Sequence, residues 1–258
     1  EDAAKYLEAA KIEVGGFEVG IDLDSDDETF TSQLGGLHPI ADMGKQLGAK
    51  RGYIRVPAAT NRLPYHEYFD VQTSRLAQIG EVLDARGILL GIGFSAGKEL
   101  EEGKEFTFVR NVEGFLALVN GVSGSNVGML VDTWDWVVGD GAMDQLSEVP
   151  ADKIVAVRLG SLPEDVEAGK ATSCDRVLPE QEGAVNHISL IKHLAESGFA
   201  GPVSPSASTK SYKGQTRESI VQRAQEAVDG ISTEAGLPVA KLPMDTIEDI
   251  PYEPNPIS

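Results

Sequence analysis

At 258 residues, with 41% hydrophobic and 24% charged side chains, the chain is long enough for one large core. Its formal charge of -19 and pI near 4.5 argue against nucleic acid or an anionic membrane as partner, because phosphate binding draws its affinity from Lys and Arg. The single cysteine, Cys174, excludes an internal disulfide and a Cys-based zinc cluster, and no apolar run approaches the roughly 18 residues of a membrane span, so a soluble, cytoplasmic protein is expected.

Gly and Pro divide the chain into alternating strand and helix patterns. EDAAKYLEAAKIEV reads as an amphipathic helix rather than a leader peptide, and FEVGIDL (17 to 23) alternates like a strand, with Asp22 and Asp24 forming a capped turn. A helix over 28 to 48 follows the Asp-rich turn DSDD, and RGYIRVP (51 to 57) is a short strand stopped by Pro57. The amphipathic stretch 67 to 87 predicts a helix ending at Gly87, and ILLGIGF (88 to 94), apolar on both faces, suits a strand inside a parallel sheet. Then come a helix near 110 to 121, a strand over 127 to 132, a helix near 140 to 148 and the strand KIVAVRL (153 to 159). A long acidic loop, 160 to 185, holds Arg176, and a helix over 187 to 198, the strand GPVSPS (201 to 206) and a helix over about 215 to 236 complete the pattern.

Six strands alternating with helices, none joined by a hairpin turn, are the grammar of right-handed βαβ units. The fold expected is α/β, a (β/α) barrel over residues 1–236, incomplete at its N-terminus because a closed barrel of this kind has eight strands. Residues preceding Glu1 would supply the absent strands, and with them a secretion signal that would change the location, or else the barrel is open and something covers its edge. The segment 237–258 is proline-rich, without helical period, and reads as an extended arm, either a loosely packed terminus or one that would dock on a neighbouring subunit in a homo-oligomer.

The segments ARGILLGIGF, NVGMLVDTWDW, KIVAVRLGSLPED, DRVLPEQEGAVN and LIKHLAESGFAGPVSPS stand in the order and spacing of the sugar phosphate isomerase/epimerase family, which the chain resembles over roughly residues 1 to 236. The resemblance implies a xylose isomerase-like TIM barrel and a divalent cation at its C-terminal mouth, held by a Glu, an Asp, a His and a second Glu. Carried over position by position, those ligands fall at Gly93, Asp132, Arg158 and Ser206, so only the Asp survives. The family's catalytic histidine falls at Asp135, the Asp after the His strand at Ser161, and the Pro-Gly of the long loop at Pro179 and Glu180, while Arg176 is kept.

A divalent cation needs several converging donors, and one carboxylate rarely holds it, so no metal or other cofactor is expected. Arg158 puts a permanent cation where the dication would sit, and an ion pair between Arg158 and Asp132, at the ends of successive strands, is expected in its stead. The mouth then becomes a pocket for a small carbohydrate-like ligand, a sugar acid or sugar phosphate. Asp132, Asp135 and Arg158 would carry any residual proton transfer; Trp134, Trp136, Arg176 and Ser206 would bind, the indoles either stacking on C-H faces of a sugar or, one or both, packing under a helix. One alternative is an active isomerase or epimerase whose magnesium or manganese site is rebuilt from Asp132, Asp135, His187, Glu180 or Glu182; another is a structural subunit whose barrel a partner chain completes.

Overall fold

The computed structural model describes residues 2–179 and 184–239. In chain order the elements are α1 (Asp2–Ala9), β1 (Phe17–Glu18), α2 (Asp27–Gln46), β2 (Arg51–Arg55), β3 (Ala59–Thr60), α3 (Tyr65–Asp84), β4 (Leu89–Gly93), β5 (Phe106–Thr107), α4 (Val112–Gly121), β6 (Val127–Asp132), α5 (Thr133–Val138), α6 (Met143–Ser147), β7 (Ile154–Leu159), α7 (His187–Glu196), β8 (Val203–Pro205) and α8 (Arg217–Glu234). Five helices start where a polar side chain takes an orphan amide: Asp26 caps α2, Asn111 α4, Asp132 α5, Asn186 α7 and Thr216 α8.

The six strands expected from the sequence form one parallel sheet in the order β1-β2-β4-β6-β7-β8, and β3 with β5 adds a small antiparallel ribbon. The interior strands β6 and β7 are buried almost throughout, as strands covered on both faces must be. The sheet curls into an open barrel, because side chains from one side reach strands on the other. Arg51 of β2 donates from Nε to the carbonyl of Val155 in β7 at 3.1 Å and from Nη2 to that of Ala200 at 3.2 Å. Tyr53 fills the middle of the barrel with Leu130, Val155 and Ala156, and its hydroxyl donates to the Gly15 carbonyl at 3.0 Å.

Glycine makes room for that ring. A Cβ on Gly16 would stand 2.5 Å from it, and one on Gly91 3.1 Å. The two edges of the sheet are short: β1 has two residues, and β8 ends on Pro205, which offers no N–H to a further strand.

The sequence pattern assigns no element to TWDW after the strand ending at 132; Asp132 accepting from the amides of Trp134 and Asp135 turns the chain into the short helix α5 there. The Asx turn at Asp22 is present, its Oδ1 accepting from the Asp24 amide at 2.9 Å. Glu180, Glu182 and the arm from residue 240 onward lie outside the described residues.

Candidate functional site at the C-terminal mouth

Strand alternation directs Arg51, Tyr53 and Arg55 of β2 into the barrel, and Arg55, last of the three, emerges at the mouth. Its guanidinium lies between the two aspartates. Nη1 donates to Asp135 Oδ2 at 2.6 Å, to the Phe94 carbonyl at 2.8 Å and to Ser95 Oγ at 3.3 Å, while Nη2 donates to Asp132 Oδ2 at 3.1 Å. Arg176, from the loop after β7, closes the other side: Nη2 donates to Asp135 Oδ2 at 2.8 Å, and Nη1 lies 3.7 Å from Asp132 Oδ2. Ser206 Oγ donates to Asp132 Oδ2 at 3.0 Å, and the Ala96 amide to Asp135 Oδ1 at 3.0 Å.

Both carboxylates are therefore sunk, Asp132 to 3% and Asp135 to 1% exposure, and both are held by charged donors. Burial pushes the Asp135 carboxyl above its ordinary range and the neighbouring Asp132 adds to the rise, against the pull of Arg55 and Arg176. Burial also works against the charge on Arg55, but Asp135 and Asp132 more than offset it and hold the guanidinium firmly protonated.

The expected pairing of Arg158 with Asp132 is corrected. The two residues are register partners in adjacent strands, yet Arg158 Nη2 reaches across the barrel to Glu18 Oε1 of β1 at 2.5 Å, with its guanidinium 5.7 Å above the Tyr53 ring. Asp132 takes its charge partner from Arg55 instead, which the sequence reading overlooked. A signal was available: an arginine at the C-terminal end of the inward face of a buried strand demands an anion, and the alternation in RGYIR marks that face.

The tryptophans take the packed alternative rather than the stacking one. Trp134 and Trp136 are both fully buried; Arg176 lies 4.6 Å over the Trp134 ring, and Trp136 Nε1 donates to the Ala142 carbonyl at 2.9 Å. Neither offers an open face to a sugar. Of the rival ligand set, Glu180 and Glu182 lie outside the described residues, and the buried His187 ring meets Thr133 Oγ1 at 3.2 Å, a hydroxyl that also bonds both backbone groups of Gly160.

Among the described residues, the donors at the mouth do not fit a divalent cation. At the ligand positions implied by the resemblance stand Gly93, Arg158 and Ser206, and the Arg55 stem fills the space above Gly93, its Cγ 3.5 Å from where a Cβ there would sit. The oxygens of Asp132 and Asp135 already accept guanidinium N–H groups. Two buried carboxylates neutralised by two arginines make a closed ionic plug over the barrel, with Arg55, Arg158, Arg176, Ser95 and Ser206 partly reachable from outside.

An open parallel (β/α) barrel with its charged side chains gathered at the C-terminal end of the strands defines the class of protein. Residues 1–231 match the model of the xylose isomerase-like TIM barrel, and the chain belongs to that family. Among solved structures it is similar to a xylose isomerase domain protein from Alicyclobacillus acidocaldarius, at TM-score 0.79 and 19% identity over 90% of this chain and 82% of that one. It is also similar to the IOLI protein, solved with a bound zinc atom, at TM-score 0.74 and 21% identity over 90% and 81%. A sugar phosphate isomerase/epimerase from Parabacteroides distasonis follows at TM-score 0.61 and 16% identity over 91% and 74%. No curated protein sequence matches the chain.

Proposed function

We propose that this family member binds a small carbohydrate-like ligand at the mouth of its barrel without a divalent metal, as a binding or regulatory protein rather than a metal-dependent isomerase or epimerase. The observation that carries this reading is Arg55 bridging Asp132 and Asp135, a side-chain cation seated among the oxygens that a metal would need. The outward-facing groups favour polyol recognition: guanidinium edges at Arg55, Arg158 and Arg176 donate to ring and hydroxyl oxygens, and the hydroxyls of Ser95 and Ser206 both donate and accept. Structural neighbours include a sugar phosphate isomerase/epimerase and an L-ribulose 3-epimerase, which adds to the case for a sugar. A lone, exposed Cys174 suits a reducing compartment, and on that ground we place the protein in the cytoplasm; among the described residues no helix is long and apolar enough to cross a membrane.

Metal analysis of the purified protein, joined to thermal melts against a panel of sugars, sugar acids and sugar phosphates, tests the reading. Far less than one bound cation per chain, a melting temperature indifferent to EDTA and manganese, and stabilisation by at least one sugar class are expected. One tightly held manganese, zinc or magnesium per chain would overturn it.

A further inference from the structure

We infer that Glu18 is a built-in competitor for the ligand's anionic group, and that the mouth accordingly selects a polyol carrying a carboxylate or phosphate over a neutral sugar. This rests on the reading of the mouth as a carbohydrate site. Among the described residues three guanidiniums meet three carboxylates at this end of the barrel, and the carboxylates are not equivalent. Asp132 and Asp135 are buried and each accepts from two arginines or from arginine, serine and backbone together, so neither can be exchanged without stranding a buried charge.

Glu18 differs on every count. Its side chain is 59% exposed, it sits on a two-residue edge strand, and it touches Arg158 through one oxygen on one nitrogen. An exposed pair with a single contact contributes little and exchanges readily.

Arg158 is in turn prepared for a better partner. Its side chain is 26% exposed, its guanidinium lies over the Tyr53 ring, and its remaining nitrogens have no protein partner among the described residues. A carboxylate or phosphate that engages the fork through two oxygens outcompetes one that uses a single oxygen. Asp132 stands in register beside Arg158 in the neighbouring strand, and Ser206 on Asp132 brings a hydroxyl toward the same place, so a polyol attached to that anion would lie along the plug. The overall charge of -19 repels anions at long range. At physiological ionic strength a Debye length of about 8 Å confines that repulsion, leaving the contest to the groups around Arg158.

The test titrates glucose, gluconate and glucose 6-phosphate against the full chain by thermal shift, in wild type, Glu18→Gln and Arg158→Gln. Gluconate or glucose 6-phosphate should stabilise wild type where glucose does not, and the stronger of the two identifies the anion as carboxylate or phosphate. Glu18→Gln should tighten the anionic sugars several-fold, because the internal competitor has lost its charge, while Arg158→Gln should abolish their advantage. Equal binding of glucose and gluconate, or an unchanged affinity in Glu18→Gln, overturns the inference and leaves the mouth reading standing. Failure of all three sugars to stabilise any variant removes the mouth reading, and the inference with it.

Discussion

Arg55 donates to Asp135 at 2.6 Å across 80 positions of sequence, from a strand that is not adjacent in the sheet to the one that leads into Asp135. The contact is possible because Gly93, on the intervening strand β4, carries no side chain to fill the gap. The side-chain-free position at the end of β4 and the guanidinium stem that passes over it fit each other.

Arg55→Met should expose that dependence. Two buried carboxylates would keep only Arg176 as charge partner, and leaving a buried charge short of its partner costs about 3–5 kcal/mol. Arg55→Lys should recover only part of the loss, since a single ammonium cannot span Asp132 and Asp135 as the fork does. Urea unfolding measures both. A loss under about 1 kcal/mol for Arg55→Met would mean that the pair behaves as a solvated surface contact.

Arg176 ties the loop after β7 to the mouth. Its carbonyl also accepts from the Ser208 amide and from Ser211 Oγ, so the side chain rather than the backbone is the part that Arg176→Ala removes. Trp134 then loses the guanidinium that covers it. The expected outcome is a red shift of tryptophan emission together with faster tryptic cleavage at Lys170, with the helical circular dichroism signal retained. Emission and cleavage both unchanged would show that the loop is held without its arginine.

The strand set was legible because the six strands announce themselves locally, by short apolar or alternating runs between helical patterns, and the cap at Asp26 was visible in the Asp-rich turn before helical periodicity. Asp132, Asp135, Arg176 and Ser206 came to the mouth through the family resemblance carried over position by position, and the structure brings the four together there. Arg55 and Glu18 were not legible, and the reason is physical. Which charge pairs with which depends on how far the sheet curls, and curling brings β7 opposite β1, so that Arg158 finds Glu18 while its register neighbour Asp132 faces Arg55. The packed and stacking readings of Trp134 and Trp136 stayed open for a related reason: aromatic side chains after a strand look like a platform unless the turn that buries them is recognised, and here Asp132 makes that turn.

Gly128→Ala probes the packing between β6 and β7. An added Cβ would stand 2.5 Å from the Lys153 carbonyl oxygen and 3.0 Å from a Val155 methyl, and the first of these is backbone, which cannot swing aside. Overpacking of this kind costs about 1–3 kcal/mol. Gly169→Ala is the control, because nothing lies within 4 Å of the Cβ it would gain. Comparable unfolding free energies for the two variants would show that the strands part without strain.

Acid sensitivity should be traceable to Glu101. Lys98 Nζ lies 2.5 Å from this carboxylate, Arg110 Nη1 2.9 Å, and Thr107 Oγ1 donates to it at 3.0 Å, which together pin the 3-10 turn Lys98–Glu101 beside β5. The hydrogen bond from Lys98 is the largest influence lowering its pKa below the ordinary 4.5, partial burial opposes it, and Thr107 and Arg110 add to the lowering. A carboxyl whose folded value is depressed contributes stability in full above its unfolded value and loses it as the pH falls through the folded one. The difference in melting temperature between wild type and Glu101→Gln should therefore be constant from pH 7 down to about 5 and shrink at lower pH, as the wild-type carboxylate takes up its proton and comes to resemble the amide. Melts at low ionic strength make the comparison cleanest, because salt screens the exposed Lys98. A difference that grows toward acid would place the depressed carboxyl elsewhere in the chain.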